Sequence, residues 1–247
     1  MKNIVLTLLL LISSAAFSQK PKTTSTSPTV ETYKKAYYMA LRCGDAQAAV
    51  NSLYLIIAEE GDRSVYKDSL LLMYFDMAAF VQCERVAGEL VITYSDSIDK
   101  GKNLSILEIL AISQASLGKV KEAIESFDKL LSKTNEMYHA YRLAELQYTY
   151  KRVGEALQSV MRAENLANNM KAPVKIEVEK NKVQEVKLEA AVLNLKGYIL
   201  LEEYPDKKAE AIEAFTKALE LQPNFILAKN NLAYATGSTP QGTQENK

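Results

Sequence analysis

Tryptophan is absent from this 247-residue chain, and histidine occurs once, at His139. A lone imidazole excludes a metal site built on two histidines, and Cys43 and Cys83 lack the close spacing of a zinc knuckle. There is no glycine-rich phosphate loop and no GxSxG elbow. Neither sign of charge dominates, with Lys+Arg and Asp+Glu at 30 each, so nothing marks a nucleic-acid or anionic-membrane binder. Glycine (9) and proline (6) are scarce while hydrophobic residues reach 48%, a helix-rich globular composition and not a disordered one. Acidic pairs such as Glu59-Glu60 and Glu202-Glu203 stand at expected helix ends, where water solvates them. These absences argue against an enzyme and against any metal or cofactor.

The first residues read MKNIVLTLLLLISSAAFSQ. Lys2 supplies a positive start, Ile4 to Ile12 an apolar stretch broken only by Thr7, and Ser13 to Ser18 mostly small residues. That is the layout of a secretory signal peptide, too short for a stable membrane span; a retained anchor is the competing reading. The ending AFSQ resembles export signals common in Bacteroidetes and implies an exported protein, periplasmic or at the cell surface. The expected organisation is a signal peptide at 1–18, a flexible linker at 19–30, a folded region at 31–235 and a disordered tail at 236–247. No later stretch is apolar enough to span a membrane.

Near the end stands AEAIEAFTKALELQPN, in which Ala211, Phe215 and Ala218 share one helical face and Pro223 ends the helix. The same spacing recurs at Ala123, Phe127 and Leu130, at Ala156, Val160 and Ala163, and more weakly at Ala49, Leu53 and Ile56 and at Ala87, Val91 and Tyr94. These alanines lie 38, 36, 33 and 55 residues apart, three spacings near the period of about 34 of paired-helix repeats and one implying an insertion. A partner helix precedes each of the last three copies: Leu107, Leu110 and Ala111, with Gly118 at the turn, then Tyr141, Ala144 and Tyr148, then Leu193, Gly197 and Leu200. NFILAKNNLAYA, residues 224–235, reads as an unpaired final helix covering the last hairpin.

Leu193, Gly197, Leu200, Ala211, Phe215, Ala218 and Pro223 together resemble a tetratricopeptide repeat, with two extra residues in the turn around Pro205. The expected fold class is all-α: a solenoid of about five such hairpins with a C-terminal capping helix. A generic helical bundle would meet part of the pattern. The resemblance implies a non-catalytic interaction module whose first helices line a concave groove for a peptide or partner protein. On the faces turned from the hairpin partner lie Tyr38, Arg42, Asp76, Phe80, Glu108, Ile112, His139, Arg142, Leu146, Tyr150, Asn194, Tyr198 and Glu202. Tyrosine and arginine suit recognition, each joining apolar area to a polar tip; Tyr141 and Tyr148 read as core. The alternative is a structural subunit that self-associates through repeat edges.

Two segments stay open. Between the fourth and fifth hairpins, residues 168–190 read as an upstream extension of the Leu193 helix, with Pro173 in its first turn. VKIEVEK also alternates with period two, so a short extended piece competes. Cys43 and Cys83 fall in the expected turns of the first two hairpins, either bridged in an oxidising compartment or present as two buried thiols.

Overall fold

The computed structural model describes residues 29–169, 172–180 and 182–238. The expected signal peptide lies outside these residues, as do most of the linker and tail. Twelve α-helices follow among the described residues: α1 (Val30–Cys43), α2 (Ala46–Glu60), α3 (Tyr66–Asp76), α4 (Phe80–Thr93), α5 (Ser95–Asp99), α6 (Leu104–Ser116), α7 (Val120–Thr134), α8 (Met137–Thr149), α9 (Val153–Glu164), α10 (Leu188–Glu203), α11 (Lys208–Leu221) and α12 (Ile226–Thr236). Two strands, β1 (Val174–Glu179) and β2 (Lys182–Val186), fall between α9 and α10. Helices pack as five consecutive hairpins, α1–α2, α3–α4, α6–α7, α8–α9 and α10–α11, and α12 closes the last.

The fourth residue of each second helix is a small anchor: Ala49, Cys83, Ala123, Ala156 and Ala211, every one fully buried. Four residues on stand Leu53, Ala87, Phe127, Val160 and Phe215, also fully buried, and three further Ile56, Leu90, Leu130, Ala163 and Ala218. A small residue lets the first helix come close, and the larger one below fills the space beside the contact. In the second hairpin this register corrects the sequence assignment, since Cys83 and not Ala87 is the anchor. The anchors then lie 34, 40, 33 and 55 residues apart. The 40 contains α5, a five-residue helix that the periodicity did not signal.

Turns repeat as the anchors do. In the first four hairpins the residue five before the anchor is left-handed: Gly44, Ala78, Gly118 and Lys151, with φ of 69°, 52°, 72° and 62°. In the fifth, Pro205–Lys207 form a 3-10 turn instead, the place of the two extra residues. Close approach peaks at Gly197, where a Cβ would sit 2.6 Å from the Phe215 ring.

The long spacing is a β-hairpin and not a helical extension. β1 and β2 pair antiparallel, Val174 opposite Val186, and Pro173 precedes a strand. Alternation decided the matter: Val178 and Val186 are buried, while Lys175, Glu177, Glu179 and Glu185 face out. Two glutamines fasten the base of β2 to the α11–α12 turn. The Gln184 side chain accepts from the Ile226 N–H (3.0 Å) and donates to the Asn224 carbonyl (2.7 Å). The Gln222 side chain accepts from the Lys187 N–H (2.8 Å) and donates to the Glu185 carbonyl (2.9 Å).

Both cysteines are free. Cys43 is exposed as the last residue of α1, and Cys83 is buried inside α4 rather than in a turn, an alanine-sized residue in an alanine's place.

Candidate functional site

The first helices α1, α3, α6, α8 and α10, continued by α12, form a wall. Along it one helical position stays open in successive repeats: Tyr38, Leu72, Ile112, Glu145 and Tyr198, with Tyr234 in the same place on α12. Tyr38 and Leu72 are just over half exposed, Tyr198 somewhat less, and Tyr234 is 71% exposed. Ile112 and Glu145 are half-buried. One turn earlier stand Lys34, Asp68, Glu108, Tyr141 and Asn194. Spaced i and i+4, the two lines share one face of every helix.

Neighbouring helices are stitched across this wall. Tyr148 packs edge-on against Tyr198 at 5.7 Å between ring centres, and its hydroxyl donates to Glu203 at 3.1 Å. The Asn231 amide donates to Asn194 Oδ1 at 2.9 Å. Lys34 bonds Glu60 at 2.8 Å and lies 5.1 Å from the centre of the Tyr66 ring. The hydroxyls of Tyr54 and Tyr74 contact each other between α2 and α3. Burial raises the Asp68 carboxyl above its usual range against a bond from the Tyr94 hydroxyl, and Asp68 Oδ1 has no partner.

The most developed stretch is on α8. Tyr138, Tyr141, Arg142 and Glu145 share a face and, with Pro173, Val174 and Lys175 at the start of β1, line a cleft of about 330 Å³. The Tyr141 hydroxyl donates to Glu145 Oε1 at 2.5 Å, and Arg142 Nη1 donates to Glu145 Oε2 at 2.9 Å. Burial pushes the Glu145 carboxyl up, opposed by Arg142 and by the bonds it accepts. Tyr138 and Tyr141 are raised as well, chiefly by burial. Arg142 Nε is buried without a partner. A larger cleft of about 480 Å³, between the α2–α3 connection and the end of α4, is lined in part by Asp62, Arg63 and Tyr94. Among the described residues no group of three or more His, Cys, Asp and Glu could hold a metal, and no helix is long and apolar enough to cross a membrane.

Of the residues singled out from sequence, Tyr38, Glu108, Ile112, Arg142, Asn194 and Tyr198 stand on the wall. Arg42, Asp76 and Glu202 are exposed at its hairpin-turn margin. Four are displaced. Phe80 begins α4, a second helix. His139 and Leu146 are buried on the side facing the preceding hairpin, His139 hydrogen-bonded to Thr134 (2.8 Å) with Nε2 3.6 Å from Glu108. Tyr150 lies one residue past the end of α8. Sequence reasoning missed Tyr138, Glu145 and the β1 residues; its assignment of Tyr141 and Tyr148 to the core holds, Tyr141 lying within the main cluster and Tyr148 packed against it, with their hydroxyls reaching the wall. The available signal was the anchor count: eleven residues before Ala156 is Glu145, just as Ile112 is eleven before Ala123.

No protein-family model matches the chain, and no curated protein matches it in sequence. Solved structures do match in shape. A structure described as YrrB, a TPR protein with an unusual peptide-binding site, superposes with a TM-score of 0.60 at 11% identity, covering 82% of this chain and 91% of that one. MamA superposes with a TM-score of 0.58 at 13% identity, covering 78% and 92%. A MamA fragment from Desulfovibrio magneticus RS-1 gives 0.57 at 12%, covering 79% and 96%. At such identities the likeness concerns the backbone alone, and with the five anchored hairpins it makes this fold a solenoid of the tetratricopeptide-repeat type.

Proposed function

We propose that the protein is a non-catalytic interaction module that holds a peptide or an extended segment of a partner protein along the first-helix wall. One observation carries the reading: the same wall position presents a large side chain in successive repeats, from Tyr38 through Leu72 and Ile112 to Tyr198 and Tyr234. An extended chain crossing the repeats meets such a contact in four of the five hairpins and on α12, with Glu145 holding the position in the fourth and Glu108 and Asn194 one turn away for polar registration. The unusual peptide-binding site of YrrB belongs to that protein; here it supports the reading by analogy of fold. The signal-peptide-like layout of residues 1–18 supports placing this role in the cell envelope.

The test is affinity capture from envelope extracts followed by mass spectrometry, repeated with Leu72→Ala and Tyr198→Ala. Both changes are expected to weaken retention of the same partner by tenfold or more, as for truncated apolar contacts at an interface centre. Unchanged retention by the double variant overturns the reading.

A second reading, self-association through the solenoid end, is favoured by Met39. It is 61% exposed on α1, whereas its counterpart Met73 is half-buried and Ser113, Leu146, Ile199 and Ala235 are buried. Light scattering separates the two: a monomer supports wall recognition, a stable oligomer lost in Met39→Glu supports end-to-end assembly.

A further inference from the structure

The β-hairpin closes one of its two edges and leaves the other open. On the β2 side the Gln222 amide accepts from the Lys187 N–H and donates to the Glu185 carbonyl, the two bonds a neighbouring strand would make. The β1 side has no such plug. Among the described residues nothing outside the hairpin is hydrogen-bonded to the Lys175 backbone, and the cleft toward α8 opens along residues 173–175.

The Gln222 bonds also fix which groups of β1 point outward. The Glu185 carbonyl is turned to Gln222, away from β1. Residues directly opposite in an antiparallel pair turn their N–H and C=O either both into the ladder or both out of it. Lys175, opposite Glu185, therefore presents both groups at the free edge, and Glu177, two residues on, turns the same way. Pro173 has no N–H to offer there, and the irregularity between Glu177 and Glu179 ends the regular stretch. An open edge of this kind is a template for a further strand.

Charge selects which strand. Around Ile176 the run Val174-Lys175-Ile176-Glu177-Val178 is symmetric in its apolar residues and antisymmetric in charge. Laid antiparallel on a second copy about a two-fold axis through Ile176, it sets Lys175 opposite the partner's Glu177. Opposite charges on facing residues favour a strand pair and like charges oppose it. The same register joins outward-turned residues, so each Lys175–Glu177 pair can exchange both backbone bonds. Centring the axis on Lys175 or on Glu177 brings like charges face to face, and the former also asks Pro173 for a donor it lacks. Glu177 has a contact within its own chain, and a carboxylate with two acceptor oxygens takes a second donor.

We propose that β1 pairs with β1 of a second copy, antiparallel about Ile176, joining two hairpins into one four-stranded sheet. An edge this short falls below the about 20–30 residues a side of a stable interface, so the dimer is weak and forms with rising concentration.

Sedimentation velocity on the full chain over a concentration series reads the dimer, and amide exchange over the same series locates it. The Lys175 N–H should exchange more slowly as the dimer forms, while Ile176, bonded within the β1–β2 ladder, stays protected throughout. Glu177→Lys faces Val183 across its own hairpin and meets no like charge there. It should weaken the dimer about tenfold, because two pairs per dimer turn from attractive to repulsive. Lys175→Glu should do the same, and an equimolar mixture of the two variants should dimerise, each meeting its opposite charge. A chain that stays monomeric, a dimer unchanged by Glu177→Lys, or Lys175 exchange independent of concentration overturns the pairing. So does a mixture no stronger than either variant alone while Ile176 remains protected in both. An oligomer lost in Met39→Glu and kept in Glu177→Lys belongs to the solenoid end and overturns it as well.

Discussion

The first two hairpins and the last three are built on one plan with different fillings. From α6 onward most anchors, aromatics and β-hairpin residues merge into one core, with Phe127 and Phe225 among its fully buried members, while Leu200, Ala211, Phe215 and Ala235 form a small cluster at the C-terminal end. The α1–α4 hairpins have a core of their own, joined by Ile106 and Ile109 of α6. There the second hairpin places Cys83 and Ala87 where the third places Ala123 and Phe127, so less volume fills the same gap. Ten of the sixteen large apolar side chains exposed among the described residues lie between Tyr38 and Ile92, although α1–α4 make up about a third of the described chain. In a solenoid, where stability is a sum of local and nearest-neighbour terms, such a difference makes one end open before the other.

The most forceful way to test this contrast is Phe215→Ala, which empties a fully buried site. It should cost about 3–5 kcal/mol, read by urea denaturation, with hydrogen exchange accelerated in α10–α12 and unchanged in α1–α2. Uniform acceleration across all helices would show a single cooperative unit and erase the distinction. Next come two glycine-to-alanine changes expected to differ in sign. Gly88→Ala on α4 meets nothing within 4 Å and should gain up to about 1 kcal/mol from helix propensity. Gly197→Ala forces a methyl into the Phe215 ring and should lose about 1–3 kcal/mol by overpacking. The same sign at both would mean that α10 and α11 are no more tightly packed than the N-terminal helices.

Smallest is a comparison of two half-buried carboxyls on the wall. Glu145 accepts bonds from Tyr141 and Arg142, whereas Asp68 has only Tyr94 and an orphaned oxygen. A raised native pKa means the folded chain binds its proton more tightly than the unfolded chain. Ionised Asp68 therefore destabilises the fold above its native pKa, and the penalty fades as pH falls toward the unfolded value of about 3.9. Asp68→Asn should raise the denaturation midpoint at pH 7 and leave it unchanged near pH 4. An equal gain at both pH values would remove charge as the cause.

Much of this architecture can be read from the residues because small and large side chains at fixed helical spacing leave few packings open. The Ala123, Ala156 and Ala211 hairpins, their order and the capping helix all follow from that spacing. The second hairpin misleads because cysteine can replace alanine as a small buried residue, and only burial reveals which of Cys83 and Ala87 occupies the notch. The β-hairpin is ambiguous in sequence since Val183, Val186 and Ala190 satisfy a helical stripe while VKIEVEK alternates with period two, and the pairing of Val174 with Val186 settles the choice for the strands. On α8 the wall is missed by a residue or so: Glu145 carries no apolar signal, while Tyr141 and Tyr148 are core as read and turn only their hydroxyls to Glu145 and Glu203.

The paired glutamine clasp at the foot of the β-hairpin has a mechanical consequence. Gln184 and Gln222 rivet segments 35 to 42 residues apart, across the seam where α11 passes to α12. A coil of hairpins would otherwise flex evenly along its length, like a spring. Braced at one end, it concentrates its bending at the other, so on the proposed reading the C-terminal half serves as a stiff handle and the N-terminal tyrosine and leucine rungs as the part that adjusts to a partner.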